Sequence, residues 1–113
     1  MKPEHEDLLR RLALNDEGAL ESLFGAGFAD ARRSELDAKA LALVRLAGLV
    51  VLESAPASYQ WTVAAALAAG ATDEEIVGVL AALVPIAGTV RVGSAAPEVA
   101  LAMGCDLRLG DNG

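Results

Sequence analysis

The segment from Ala55 to Ile76, APASYQWTVAAALAAGATDEEI, constrains this chain more than any other stretch. Pro56 suits the first turn of a helix, where a missing N–H costs nothing. Ala57 to Ala69 is made mostly of strong helix formers, and Gly70 readily takes the left-handed geometry that ends a helix. Thr72 stands three residues before Glu75. At that spacing the Thr hydroxyl accepts from the Glu75 N–H, and the Glu75 carboxylate accepts from the Thr72 N–H. Asp73 and Glu74 place negative charge at the positive end of the new helix dipole. The pattern predicts helix, turn and helix, with both helix boundaries at the turn written locally.

The rest of the chain extends this helical grammar. Met1 to Asn15 reads as an amphipathic helix with Leu8, Leu9 and Leu12 on one face. Asp16 to Phe24 is a second short helix, expected to turn Leu20, Leu23 and Phe24 inward. Gly25, Gly27 and the residues up to Ser34 form a loop, in which Arg32 and Arg33 are solvated. His5 is read as solvated too. Leu36 to Leu52 is a helix with Asp37 early in it, and from Ala40 onward Arg45 is its only charge. A helix apolar nearly all round must be covered on every side. Ile76 to Val84 continues the capped helix until Pro85 kinks or ends it. Thr89 to Met103 is the last helix, interrupted at Pro97 and stopped at Gly104. No stretch alternates as a sheet strand does. The expected fold is all-α, with about five to six helices in a single domain over 1–113. Residues 1–35 form a charged cover, 36–104 an apolar core and 105–113 a frayed tail.

Composition narrows the partners. Hydrophobic residues are 54% of the 113 and aromatics only 4%, so the apolar mass is Ala, Leu and Val. This surplus exceeds what one small domain can cover and predicts a homo-oligomer. A net charge of -7 argues against nucleic acid and against anionic membrane surfaces. A single Cys, acids rather than bases at the N-terminus, and the absence of an apolar run of roughly 20 residues fit a cytoplasmic protein.

The frame LDAKALALVRLAGLV followed by SYQWTVAAALAAGATDEEIVGVLAALVPIAG resembles the carboxymuconolactone decarboxylase superfamily, which includes the alkylhydroperoxidase D proteins. The likeness covers about Leu36 to Ala102. It implies an all-helical, oligomeric fold, most simply a trimer or a hexamer. Redox members of that superfamily carry C-x-x-C-x-x-x-H just before the AALxAG segment. Here those positions hold Ala55, Ser58 and Thr62, and the acidic position one helix earlier falls near Ala42 or Leu43. A thiol peroxidase needs one thiolate to attack and a second thiol to resolve the sulfenic acid. Cys105 has no such partner, so the redox centre is degenerate and peroxidase or redox-partner roles rank last.

The polar residues left for a site are Glu53, Ser54, Ser58, Tyr59, Gln60 and Thr62 around Pro56, with Trp61 beside them and Arg45 and Arg91 as the bases of the apolar region. Two assignments stay open. In one, Arg45, Glu53, Arg91 and Glu98 are structural ion pairs, and Tyr59 and Trp61 pack an interface. In the other, an Arg holds a substrate carboxylate through its planar fork while Tyr59 or Glu53 moves a proton, and Ser58, Thr62 and Trp61 line the site. Neither asks for a metal or a cofactor. The expected functions are a cofactor-free decarboxylase- or isomerase-type enzyme on a small carboxylate, or a non-catalytic oligomeric scaffold or binding protein.

Overall fold

The computed structural model describes residues 1–26 and 34–108. Gly27, Arg32, Arg33 and the end of the tail lie outside the described residues. Among the described residues the chain forms six helices and no strand: α1 (Pro3–Ala13), α2 (Glu17–Ala26), α3 (Ala38–Leu52), α4 (Pro56–Ala68), α5 (Asp73–Ala87) and α6 (Thr89–Ala102). The fold is all-α. No helix among them is long and apolar enough to cross a membrane.

The chain divides into two compact units, Met1–Glu35 and Leu36–Gly113. In the first, α1 carries Glu4 and Glu6 in its first turn and Arg10 and Arg11 in its last, the order the dipole favours. Asp16 starts α2 by accepting from the Ala19 N–H at 3.0 Å. The inward face expected of α2 is not formed. Ala19 is buried, Leu23 is half-buried, Leu20 is exposed and Phe24 is 90% exposed. His5 is not merely solvated, since its Nε2 lies 2.7 Å from Glu35 Oε2.

In the second unit α3 packs on α4, α5 and α6, and α6 packs on α4 and α5. The core is drawn from all four: Leu46 and Val50 of α3, Val63 and Ala66 of α4, Ile76 and Leu83 of α5, and Val92, Ala95 and Val99 of α6. These residues recur at steps of three, four or seven, the period that keeps side chains on one helix face. Complete burial of Leu46 or Ile76 is worth about 1.5–3 kcal/mol each.

The helix ends form as local chemistry dictates. Thr72 and Glu75 make the reciprocal cap, with Glu75 N–H to Thr72 Oγ1 at 3.1 Å and Thr72 N–H to Glu75 Oε1 at 2.9 Å. Lys39 adds an ion pair to Glu75 at 3.1 Å, tying the start of α3 to the start of α5. Asp37 lies outside α3 as its cap rather than early within it, accepting from the Ala40 N–H at 2.7 Å. Gly70 takes φ +94, and the Gly70 and Ala71 N–H groups donate back to Leu67 and Ala66. Pro85 does not end α5, nor does Pro97 end α6. The carbonyls each ring deprives of a donor belong to Ala81 and Gly93, both exposed residues.

Candidate functional site

Four helices close with the last N–H groups folded back on the preceding turn. At the left-handed position of this arrangement α1 has Asn15, α4 has Gly70 and α6 has Gly104. At the end of α3 the position is filled by Glu53, with φ 54 and ψ 53, and Glu53 N–H and Ser54 N–H donate to Val50 and Leu49. Gly and Asn enter this region readily, whereas a Glu there costs about 1–2 kcal/mol. The left-handed Glu53 ends α3, and α4 begins three residues later at Pro56.

Tyr59, one turn into α4, is buried, and its hydroxyl donates to the Leu49 carbonyl at 3.0 Å. This bond holds the start of α4 to the end of α3. Burial pushes the Tyr59 phenol above its ordinary pKa. The Ser54 backbone N–H opposes that shift, and the negative charges of Glu53 and Glu98 add to it. Tyr59 is therefore a neutral phenol near neutral pH, with its proton already committed.

Opposite them, α6 presents Arg91, Ser94 and Glu98, spaced three and four apart on one face. Glu53, Ser54, Pro56, Tyr59, Arg91, Ser94 and Glu98 together line a cleft of ≈ 220 Å³. Arg91 Nε lies 3.7 Å from Glu53 Oε1, and both side chains are about half exposed, at 49% and 59%. An ion pair so exposed adds little to stability. The long Nε contact also leaves the two terminal guanidinium nitrogens for another acceptor.

Of the residues singled out in the sequence, Glu53, Tyr59 and Arg91 come together in this cleft. Ser58 is half-buried and Thr62 buried on α4, and neither lines it. Arg45 is half-buried on α3 and outside the lining. Trp61 points away from the buried face of α4 and is 66% exposed. Ser94 was not anticipated, although its spacing from Arg91 and Glu98 would have placed it on their face. Among the described residues no group of three or more His, Cys, Asp or Glu is arranged to hold a metal ion. Cys105 is a free, exposed thiol beyond α6.

The arrangement can do two things chemically. The guanidinium can grip a carboxylate, and the Glu53 carboxylate, beside it and open to solvent, can take or return a proton. The family model of the Carboxymuconolactone decarboxylase family matches residues 17–102, from the start of α2 to the end of α6. No curated protein and no solved structure matches the chain.

Proposed function

The chain belongs to the carboxymuconolactone decarboxylase family, and we propose that within it this protein is a cofactor-free enzyme acting on a small carboxylate in the cleft between the α3–α4 junction and α6. The observation that carries the proposal is Arg91 facing Glu53 across that cleft, with a strained backbone holding Glu53 in place. Non-glycine residues in the left-handed region persist where their surroundings enforce them, and they concentrate at functional sites.

In this reading the two terminal nitrogens of Arg91 hold the substrate carboxylate, with Ser54 and Ser94 supplying hydroxyls at the rim. Glu53 moves the proton that a decarboxylase- or isomerase-type reaction requires at carbon. Tyr59 does not titrate in the working range and serves as a fixed wall and positioning group. The guanidinium holds a carboxylate that is retained, because a grip on a departing carboxylate would stabilise the ground state more than the transition state. Thiol chemistry has no part in it, since Cys105 has no second thiol to resolve it.

A second reading, a homo-oligomeric scaffold or binding protein, is favoured by one specific observation. Leu52, Trp61, Ile86 and Val90 are all more than half exposed on the single chain, large apolar side chains that contacts between subunits would cover. Homo-oligomerisation belongs to both readings. Titration of the protein with short mono- and dicarboxylates, followed through the backbone amides of Ser54, Tyr59 and Ser94, tests the first. Saturable shifts abolished by Arg91→Gln support it. No response to any carboxylate leaves the scaffold reading.

A further inference from the structure

The cleft has a charge imbalance that narrows the ligand class beyond a small carboxylate. Its lining contains one cation, Arg91, and two anions, Glu53 and Glu98. Glu53 sits against Arg91 at 3.7 Å and offsets it, whereas Glu98 is half-buried one helical turn beyond Ser94. Both carboxylates line the same small cleft as Tyr59, so their fields overlap within one small volume. A ligand bringing only a carboxylate gains Arg91 but meets two like charges. A dicarboxylate meets them twice over, and like charges facing each other in a partly desolvated cleft are unfavourable.

Resting on the carboxylate-binding reading above, we propose that the ligand of this cleft is a small zwitterion, with its carboxylate on Arg91 and its ammonium on Glu98. Arg91 and Glu98 are seven residues apart, which puts their Cα atoms about 10 Å apart along α6. Both side chains are long and border the same cleft, so the charges of the ligand are separated by a short carbon spacer rather than carried on one carbon. The cleft of ≈ 220 Å³ admits a molecule of this size. Ser94, between the two, and Ser54, opposite, are placed to accept or donate along the spacer. The zwitterion leaves the Glu53–Arg91 contact intact, because the terminal guanidinium nitrogens take the ligand end-on.

The test is a matched set of probes on the intact wild-type protein: 4-aminobutanoate, butanoate, butylamine and succinate, each titrated by NMR at constant ionic strength. The expected order places 4-aminobutanoate first, about fivefold tighter than butanoate, the increment of one half-exposed charge pair. Succinate is expected weakest of the carboxylates. Glu98→Gln should reduce 4-aminobutanoate to the affinity of butanoate and raise succinate, with an unchanged denaturation midpoint as the folding control. Butanoate or succinate binding as tightly as 4-aminobutanoate overturns the zwitterion assignment while leaving carboxylate binding in place. Butylamine binding as tightly as 4-aminobutanoate also overturns it, by showing that Arg91 contributes nothing. A flat response to all four probes overturns the carboxylate reading itself.

Discussion

The Tyr59 hydroxyl donates to the Leu49 carbonyl at 3.0 Å, and the same carbonyl accepts from the Ser54 N–H at 3.1 Å. One acceptor at the end of α3 thus fixes both the turn that carries Glu53 and the first turn of α4. Because Tyr59 is the only tyrosine in the chain, phenolate absorbance reports on it alone. Its folded pKa lies above the unfolded value of about 10. The stability it contributes is therefore fully present below pH about 10 and is lost as the pH rises through the folded value. The phenolate should appear only above that pH and together with loss of helical circular dichroism. Tyr59→Phe should cost about 0.5–1.5 kcal/mol at neutral pH, the loss of one hydrogen bond whose acceptor keeps a second donor. A phenolate titrating at its ordinary pKa in a folded protein would overturn this account.

Thr72→Ala should lower stability by about 1 kcal/mol, the usual loss for an N-cap hydroxyl, and should leave the assembly state unchanged. The Glu75 carboxyl is held below its ordinary pKa, first by the Thr72 N–H and next by Lys39. A depressed carboxylate contributes stability above the unfolded pKa of about 4.3, and that contribution fades as the pH falls through the lower folded value. Acid titration of the denaturation midpoint should accordingly show a smaller acid loss in Glu75→Gln than in the parent. Equal midpoints for Thr72→Ala and parent would mean that the cap does not form in solution.

What was legible in the sequence follows from range. The Thr72–Glu75 cap and the Gly70 stop depend on residues at most five apart, and every determinant is written in AALAAGATDEEI. The α2 face failed because periodicity shows which side of a helix is apolar, not whether anything covers it, and Phe24 is left exposed. Arg91 and Glu53 were legible as candidates through their rarity in an apolar region. Their meeting was not, since 38 positions separate them and only the packing of α6 on the α3–α4 junction closes the gap. The left-handed conformation of Glu53 was hidden for the opposite reason: the residue expected at such a helix end is Gly or Asn, and the sequence offers neither.

Light scattering at micromolar concentration should give a multiple of the monomer mass, with three or six copies expected. The exposed Ile86 and Val90, flanking the turn at Gly88, are the places to perturb it. Ile86→Lys should shift the protein toward the monomer without loss of helicity, because that side chain touches little within its own subunit. A monomer in the parent protein would remove the oligomer from both functional readings.

Cys105→Ser should leave any turnover and the helical content unchanged. The thiol is exposed beyond the end of α6, and its recorded contact is a 3.7 Å approach to the Asp106 carbonyl. Loss of a measured activity in this variant would return thiol chemistry to consideration.

Glu53 separates stability from chemistry most cleanly, because its backbone and its carboxylate make opposite demands. Its left-handed geometry favours Asn, as Asn15 at the end of α1 illustrates, so Glu53→Asn should stabilise the fold by about 0.5–1 kcal/mol. Glu53→Gln removes the same charge with no relief of the backbone, so its stability should stay within about 0.5 kcal/mol of the parent, given how exposed the Arg91 pair is. Both variants should bind short carboxylates at least as tightly as the parent, since a competitor for the guanidinium is gone. Both should lose turnover on whichever carboxylate proves to be a substrate, by the 10²–10⁴-fold typical of a removed general acid or base. The diagnostic pattern is thus a more stable Asn variant and an unchanged Gln variant, equally inactive and equally competent to bind. Full activity in either would show that Glu53 moves no proton, and the strained end of α3 would then be a feature of the fold alone.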